Sequence, residues 1–297
     1  MKVLVTGANG FIARHVMDEL MRCGHTVIGT DLAGPKKGMV SFDKWIKADL
    51  TQAKDARRAV LDSKCSAVCH LAAEGDVYKA EENPPRAFFL GSVMTAVLLE
   101  AVATNCGIPA HFVYASTWET YGPPLYTPLD ELHPQRPESF YAAAKLGGEQ
   151  AVRLYGLHCG VPTTILRLGS AFAGTMRESS VFSIFKRLAK EGKPLVVFGD
   201  GKQFRQWTHV GDIAKAFEVT IRRKDASMGE TFNVVSPTKV SVKQIANMIA
   251  KKHGAEITYA PAKPGEVSPV AVTSGKISTV LGWKAEVKTL AALRRML

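Results

Sequence analysis

Tyr141 and Lys145, in the run FYAAAKLGGE, are the residues of this chain whose types and spacing most directly suggest chemistry. Residues four apart in a helix lie on one face, one turn from each other. An ammonium beside a phenol favours the phenolate, so the pKa of the tyrosine falls below its ordinary value of about 10. Such a tyrosine can exchange a proton with an alcohol or a carbonyl at neutral pH, which complements a hydride-carrying cofactor. Without further evidence, the two residues could equally be a tyrosine packed in the core and a lysine exposed to solvent, with no catalytic role.

The N-terminal part of the chain shows a regular order of predicted elements. The apolar run Lys2–Thr6 predicts a buried strand, a glycine-containing turn follows it, and helical spacing of apolar residues begins at Phe11. A second predicted strand ends at Asp31. Strand, glycine turn, helix, strand and acid together are typical of the dinucleotide-binding βαβ unit.

The residues of this unit point to NAD. Gly7 permits the tight turn, and Gly10 lets the backbone approach a pyrophosphate, which the N-terminus of the following helix attracts. Asp31, 21 residues after Gly10, is placed to accept hydrogen bonds from the adenosine ribose and to repel a 2′-phosphate. The sequence therefore favours NAD over NADP, although Lys36 and Lys37 could meet a phosphate.

Further motifs extend over nearly the whole chain. Together with Tyr141 and Lys145, they resemble in order the motifs of the extended short-chain dehydrogenase/reductase family, and within it the nucleotide-sugar epimerases and dehydratases. The number and order of the motifs carry the resemblance. They are TGANGFIA from Thr6, ADLTQ from Ala48, HLAA from His70, YASTWETYG from Tyr114, ILRLGSAFAG from Ile165, FGDGKQFRQWTHVGDIAKAF from Phe198, ETFNVVSPTKVSVKQIANMIA from Glu230 and VLGW from Val280.

The resemblance implies a set of NAD-binding residues. In that family, the residue matching Asp49 holds the adenine amino group, the HLAA segment lies against the diphosphate, and the lysine matching Lys145 also binds the nicotinamide ribose. The implied cofactor-binding residues are Gly7, Gly10, Phe11, Ile12, Asp31, Leu32, Asp49, Leu50, Leu71, Ala72, Ala73, Tyr141 and Lys145.

The resemblance also implies the other catalytic residues. It makes Thr117 the third member beside Tyr141 and Lys145, with a hydroxyl that positions the substrate oxygen. Dehydratases of the family carry Thr-Asp-Glu at this point, whereas this chain has Thr117, Trp118 and Glu119. Because tryptophan cannot act as an acid, a standard 4,6-dehydratase is disfavoured. Glu119 is either a catalytic residue, as in some sugar-acid decarboxylases, or an ordinary polar loop residue.

The substrate-binding residues carry over less uniformly. Arg205 matches the arginine that clamps the nucleotide diphosphate, a task suited to a guanidinium. The chain departs from the family pattern at Gly91, Ser170 and Gln206, where the family has Asn, Asn and Asp. The substrate-binding residues implied are Thr117, Trp118, Ser170, Arg205, Trp207, Lys263 and Glu266.

The order of predicted elements sets the fold class. Alternating strands and helices up to about residue 165 predict an α/β protein with a Rossmann-type, doubly wound parallel sheet. We expect an NAD-binding domain over residues 1–168 and a small α/β substrate lobe over 169–297, with some segments returning to the first domain. The Pro-rich stretch Pro123–Pro137 predicts a loop over the mouth of the site. The predicted strands are 2–6, 26–30, 66–71, 110–115, 163–168, 195–198 and 256–259, and the predicted helices are 11–23, 53–62, 86–105, 140–159, 181–191, 212–222 and 241–253.

Composition limits the partners and the compartment. The net charge of +11 suits an anionic ligand such as a nucleotide diphosphate sugar, and no basic run with interleaved aromatic residues indicates nucleic acid. Met1 leads directly into the first strand and no apolar run approaches about 20 residues, so we expect neither a signal peptide nor a membrane span. Five cysteines without metal-like spacing indicate reduced thiols in the cytoplasm and no bound metal. The apolar helices at 86–105 and 140–159 allow a homodimer, which is common in the family.

Three functions remain open at this stage. The first is an NAD-dependent nucleotide-sugar 4-epimerase, with a UDP-sugar as the favoured substrate, acting through a transient 4-keto intermediate. The second is a nucleotide-sugar dehydratase or uronic-acid decarboxylase that uses Glu119. The third, from another class, is a non-catalytic NAD-sensing protein of the same fold.

Overall fold

The computed structural model describes the chain except residues 40, 106, 108, 175, 177, 179 and 263–269. Its strands are β1 Lys2–Thr6, β2 Thr26–Asp31, β3 Lys44–Lys47, β4 Ala67–His70, β5 His111–Thr117, β6 Thr163–Leu168, β7 Ser170–Phe172, β8 Leu195–Phe198, β9 Phe204–His209, β10 Thr231–Val234, β11 Lys239–Ser241 and β12 Ile257–Ala260.

The helices alternate with these strands in the first half of the chain. They are α1 Phe11–Arg22, α2 Ala53–Ser63, α3 Val77–Glu82, α4 Pro84–Phe88, α5 Met94–Ala103, α6 Phe140–Cys159, α7 Val181–Lys190, α8 Val210–Arg222, α9 Lys224–Ser227, α10 Val242–His253, α11 Gly275–Leu281 and α12 Thr289–Arg295. A π-helical turn, Phe89–Val93, joins α4 to α5, and a 3-10 turn, Trp118–Tyr121, follows β5.

Seven parallel strands form the main sheet, in the order β10-β6-β5-β4-β1-β2-β3. The predicted Rossmann-type sheet is confirmed. The strand order reverses between β1 and β4, and ligands of such sheets bind in the crevice beyond the carboxyl ends of the strands at this reversal. The end of β1, where Gly7 lies, and the end of β4 therefore border the expected cofactor site.

Helices cover both faces of this sheet because its strands are apolar on both faces. In β1, Val3 and Val5 face a core cluster formed with α1 and α8, whereas Leu4 faces a second cluster formed with α2, α5 and α6. All three side chains are fully buried. The two clusters fix the sheet between its helices, so the strand ends form a rigid edge.

The second half of the chain contributes one strand to the main sheet and two small sheets of its own. Strand β10 pairs with β6, while β11, β9 and β7 form one small sheet and β12 pairs with β8. The predicted strands and helices of this half are present within a few residues of their predicted bounds. Strands β3, β7, β9, β10 and β11 were not predicted, because they are three to six residues long and too short for a clear alternation of side chains.

The helix that carries Tyr141 and Lys145, α6, begins where Ser139 accepts a hydrogen bond from the amide of Ala142 at 3.1 Å. It ends at Gly160, which has left-handed φ, so its limits match the prediction of 140–159. Gly148 brings α6 close to β5 and the π-helical turn. A Cβ at this position would overlap the Tyr114 hydroxyl and lie 2.6 Å from the carbonyl oxygen of Gly91.

One helical stretch, Pro84–Ala103, is long and apolar enough to span a membrane by length and composition alone, with a mean hydropathy of 1.6 in its most apolar window. The expectation that no apolar run approaches about 20 residues is wrong for this stretch. Its apolar content has a structural use, because its inner residues, such as Leu98 and Leu99, belong to the core cluster under α6. About 44% of the window is buried.

Candidate functional site

The turn after β1 brings two strand ends into close approach. Gly7 has φ +63°, and a Cβ there would lie only 2.8 Å from Cα of Ala72, just beyond β4. The amide of Gly10 donates a 2.7 Å hydrogen bond to the carbonyl of Gly7, which closes the turn. A side chain at Gly7 would therefore be strained by backbone conformation and by space.

The N-terminus of α1 is free to bind an anion. Its N-cap residue, Gly10, provides no side-chain cap, and its first turn, which includes Phe11 and Ile12, contains no acidic residue. By contrast, α6 and α7 are capped by Ser139 and Ser180. Uncapped N–H groups and the positive end of the helix dipole suit a pyrophosphate, so this end fits a dinucleotide.

Asp31 is oriented by the glycine turn itself. Its Oδ2 accepts a 3.0 Å hydrogen bond from the amide of Asn9. The Asn9 side chain donates to the carbonyl of Gly34 and accepts from the amide of Lys36, both at 3.0 Å, while the Lys36 ammonium donates to the Asn9 carbonyl at 3.2 Å. The loop that starts with the exposed Leu32 is thus tied to the turn, and Asp31 retains a carboxylate oxygen for ribose hydroxyls.

Asp49 lies after β3, at the same edge of the sheet. Its Oδ1 accepts hydrogen bonds from the amide and hydroxyl of Thr51 at 3.0 and 2.7 Å, which fixes the carboxylate. Leu50, beside it, is buried in the core with α2. The backbone of Leu50 can border a cofactor here, but its side chain serves the core.

A buried hydrogen-bond chain holds the end of β4. The Thr6 hydroxyl accepts from the amides of Leu71 and Ala72, each at 3.1 Å, so its proton goes to Nδ1 of His70 at 2.8 Å. His70 therefore carries its proton on Nε2, which donates to Thr95 at 3.1 Å. Burial, with the charge of Lys145, lowers the pKa of His70 to about 3, so it is neutral. The chain positions the backbone up to Ala73 against the glycine turn.

Lys145 is almost fully buried, and its ammonium donates a 2.8 Å hydrogen bond to the carbonyl of Ala115 in β5. It also lies 5.1 Å from the centre of the Tyr114 ring. Burial lowers the pKa of Lys145 to about 8, while Glu149 acts in the opposite direction. The ammonium form still predominates at neutral pH. Tyr141, one turn earlier on α6, is partly buried and packs against a small alanine cluster.

Thr117 is the last residue of β5, two residues beyond the carbonyl that Lys145 binds. It is buried, and its hydroxyl oxygen accepts a 3.3 Å hydrogen bond from the amide of Glu119, which leaves the hydroxyl proton available to another acceptor. Because α6 packs on β5 and on the following 3-10 turn, Thr117, Tyr141 and Lys145 lie at one edge of the sheet.

A pocket beside this edge collects three of the predicted substrate residues, Trp118, Ser170 and Arg205. Its other lining residues are Phe204, Gln206, Val235, Val270 and Val272. Trp207 was predicted to lie near the nucleotide, but it is 4% exposed and packs in the core with Phe172 and Phe182. Residues alternate sides along β9, so Trp207 shares a side with Arg205; Arg205 lines the pocket, whereas Trp207 packs into the core. Lys263 and Glu266 lie outside the described residues.

Two departures from the family pattern have structural reasons. Gln206 donates to the carbonyls of Ser236 and Val272 at 2.9 and 3.0 Å and accepts from the amide of Val272 at 2.7 Å. Its amide joins β9 to the segment that lines the pocket, which an aspartate could not do. Gly91 faces Ala144 of α6, and a Cβ there would lie 2.9 Å from the Ala144 Cβ, so close packing requires glycine.

The sequence analysis missed a buried ion pair beneath the site. Glu149 of α6 is fully buried and accepts hydrogen bonds from Arg167 of β6 at 3.0 and 2.8 Å. Two signals could have found it. Glu149 follows Lys145 by one helical turn, and Arg167 stands inside the apolar strand TTILRL, where a charge requires a partner.

Comparison with known proteins defines the family. The model of the NAD dependent epimerase/dehydratase family matches residues 3–235. The chain belongs to this family. It is 30% identical to a putative UDP-glucose 4-epimerase of Methanocaldococcus jannaschii, over 99% of this chain and 96% of that protein. It is 27% identical to the dTDP-glucose 4,6-dehydratase of Salmonella typhimurium, over 96% and 88% of the two chains.

The fold agrees with this membership. The crystal structure of UDP-glucuronic acid 4-epimerase from Bacillus cereus, in complex with UDP-glucuronic acid and NAD, is similar with a TM-score of 0.86 and 27% identity, over 99% of this chain and 96% of that one. The chain is therefore an NAD-dependent enzyme of the extended short-chain dehydrogenase/reductase group, as its motifs indicated. Within the described residues, no cluster of three or more side chains could hold a metal ion.

Proposed function

We propose that the protein is an NAD-dependent nucleotide-sugar 4-epimerase. The observation that carries the proposal is Trp118, which lines the pocket next to Thr117 where the family's dehydratases place an aspartic acid. Elimination of water from a 4-keto sugar needs a group that protonates the leaving hydroxyl. An indole at this position provides no such group. The residues of the site suffice for oxidation and re-reduction at C4.

Each catalytic residue then has one task. Tyr141 takes the proton of the 4-hydroxyl and later returns it. Lys145 provides the positive charge that stabilises the phenolate, held in place by the carbonyl of Ala115 at 2.8 Å. Thr117 donates its free hydroxyl proton to the substrate oxygen. NAD, held at the glycine turn and Asp31, supplies reversible hydride acceptance when it is bound.

The substrate class is a UDP-sugar, either a hexose or a uronic acid. The Methanocaldococcus relative is named as acting on UDP-glucose, and the Bacillus cereus enzyme is named for UDP-glucuronic acid. In this chain Arg205, half-buried in the pocket, provides a cation for the diphosphate, and Ser170 provides a short polar group. The net charge of +11 also favours an anionic substrate.

A second candidate is a dehydratase or decarboxylase that uses Glu119, and the Salmonella dehydratase is the relative that favours it. Glu119 stands in the 3-10 turn directly after Thr117, where a base beside the substrate would stand. A non-catalytic NAD-sensing protein would be the alternative of another class, and the retained Thr117, Tyr141 and Lys145 oppose it.

We also propose a cytoplasmic homodimer that binds neither nucleic acid nor membranes. The helices Pro84–Ala103 and α6 expose apolar side chains that a second copy would cover. These side chains belong to Phe88, Phe89, Val93, Leu154 and Leu157, which are 39 to 76% exposed.

The test is incubation of the protein with a panel of UDP- and dTDP-sugars, with the products analysed by mass spectrometry and NMR. We expect an unchanged mass and a C4-epimeric product. Loss of water or of carbon dioxide would assign the second candidate instead, and no conversion of any sugar would support the NAD-sensing protein.

The Tyr141→Phe variant should lose at least about a thousandfold in turnover, since it removes the acid–base group. Its NAD affinity should remain. Tyr259→Phe is the matched control, because Tyr259 is 55% exposed on β12, outside the site, and its loss should leave turnover unchanged. Full activity of Tyr141→Phe would refute the assignment.

A further inference from the structure

The carboxylate of Glu149 accepts hydrogen bonds from four side chains beneath the site. It is fully buried, on the face of α6 that carries Lys145 one turn earlier. Burial opposes its ionisation, but hydrogen bonds from Arg167, Ser116 and Gln135 outweigh this and lower its pKa, so it is charged at neutral pH.

The partners of Glu149 come from four separate segments of the chain. Ser116, which precedes Thr117 in β5, donates to Oε1 at 2.5 Å. Gln135, in the Pro-rich loop, donates to Oε2 at 2.9 Å. Arg167 of β6 binds both oxygens, and Arg153 of α6 approaches Oε2 at 3.4 Å. The carboxylate therefore joins β5, α6, β6 and the Pro-rich loop at one point.

The same network extends from β6 to β10. The Arg167 guanidinium lies 4.7 Å from the centre of the Tyr121 ring, and the Tyr121 hydroxyl donates to Asn233 of β10 at 2.7 Å. The backbone N–H of Asn233 donates a hydrogen bond to the carboxylate of Glu131, in the Pro-rich loop, at 2.7 Å. Displacement of Glu149 would thus disturb this loop at Gln135 directly and at Glu131 through Arg167, Tyr121 and Asn233.

The charge of Glu149 favours the protonated form of Lys145. The Lys145 ammonium contacts the carbonyl of Ala115 and the Tyr114 ring, and neutral His70 lies within reach of its charge. Tyr141 and Glu149 lie one turn before and one turn after Lys145 on α6. Among them Glu149 is the carboxylate that favours the protonated amine. Burial alone favours the neutral amine, which could not stabilise a phenolate at Tyr141.

We infer that Glu149 is a positioning residue of the proposed epimerase: it fixes the end of β5 that carries Thr117 against α6 and supplies the negative charge that keeps Lys145 protonated. The inference deepens the proposed function and rests on it for its kinetic test. A second test on stability needs no substrate.

The kinetic test compares two variants over about pH 6 to 10. Glu149→Gln keeps hydrogen-bonding oxygen and nitrogen atoms but removes the charge, so the alkaline decline of turnover should move to lower pH by about one unit. Ser116→Ala removes one hydrogen bond and keeps the charge, so turnover should fall while the alkaline decline stays in place. Glu191→Gln, at an exposed glutamate, is the matched control and should behave as the unmodified protein.

An alkaline decline that stays in place in Glu149→Gln would overturn the inference. Arg167 left without its partner could prevent folding of that variant. Glu149→Gln/Arg167→Gln removes both charges, so its alkaline decline should move in the same direction but by less, because the neighbouring cation is removed as well.

The substrate-free test follows the titration of Lys145 through stability. Urea unfolding at several pH values is compared between each protein and the same protein with Lys145→Met. The difference should begin to change at lower pH in the Glu149→Gln background than in the unmodified background. Equal onset in both backgrounds would overturn the inference even if the protein acts on no sugar nucleotide. A shifted onset with no sugar converted would instead count against the proposed function alone.

Discussion

Lys145→Met should make the fold more stable near neutral pH while it destroys activity. Lys145 is 5% exposed, and burial lowers its pKa from 10.5 to about 8. Since each tenfold change in proton affinity is worth about 1.4 kcal/mol, the buried charge costs about 3 kcal/mol. Methionine avoids this cost but leaves the carbonyl of Ala115 without its donor, at about 1–2 kcal/mol. We expect a net gain of about 1–2 kcal/mol at about pH 7.

The pH dependence provides the sharper signature. The folded state binds the Lys145 proton less tightly than the unfolded state does, so it holds fewer protons between about pH 8 and 10.5. The stability of the unmodified protein therefore rises with pH across this window relative to the variant. From about pH 7 to 9.5 the relative gain is about 2 kcal/mol. Below about pH 8 the full cost is present.

The assay is urea unfolding of NAD-free protein at half-unit pH steps, with free energies obtained by linear extrapolation. Taking the difference between the two proteins cancels the titration of other groups. Lys202→Met is the control, because its side chain is 86% exposed and its removal should give a difference that does not vary with pH. The reasoning would be refuted if Lys145→Met lowered the free energy of unfolding by the same amount at every pH, neutral pH included.

Three further perturbations follow from the geometry. Gly7→Ala should abolish measurable NAD binding, as detected by calorimetry, because the new methyl group would lie 2.8 Å from Cα of Ala72 at a left-handed φ; binding at the original affinity would contradict this. Gln206→Glu should lower the free energy of unfolding by about 2–4 kcal/mol, since it places a carboxylate against the carbonyls of Ser236 and Val272; a loss below about 0.5 kcal/mol would show that the segment does not need this link. Among the described cysteines, the exposed Cys23 and Cys159 should react first with a thiol reagent, and buried Cys69, whose pKa burial raises, should react only on unfolding; early modification of Cys69, located by peptide mass spectrometry, would be the contrary result.

The local elements of the site could be predicted from sequence because their signals are local. The glycine turn, the end of β2 at Asp31 and the limits of α6 follow from backbone freedom, side-chain periodicity and capping, each within a few residues. The roles of Thr117 and Arg205 depended on family resemblance, since nothing in their immediate neighbours distinguishes them from other strand residues.

Other assignments required the packed molecule. Trp207 and Gln206 are neighbours on β9, yet one is a core residue and the other joins two segments 66 positions apart. A sequence pattern can show that they face opposite sides of the strand, but not what packs against each side. The short strands β9 and β10 are stable only because their partner strands are already in place.

The sequence by itself determined the dinucleotide-binding unit, the four-residue spacing of Tyr141 and Lys145, and the α/β order of elements, because these depend on backbone geometry over a few turns. The tertiary structure decided the charge environment of Lys145. Burial and the distant partners of Glu149, contributed by β5, β6 and the Pro-rich loop, set that environment. Electrostatic interactions act through space and depend on what excludes water, so chain order alone could not supply them.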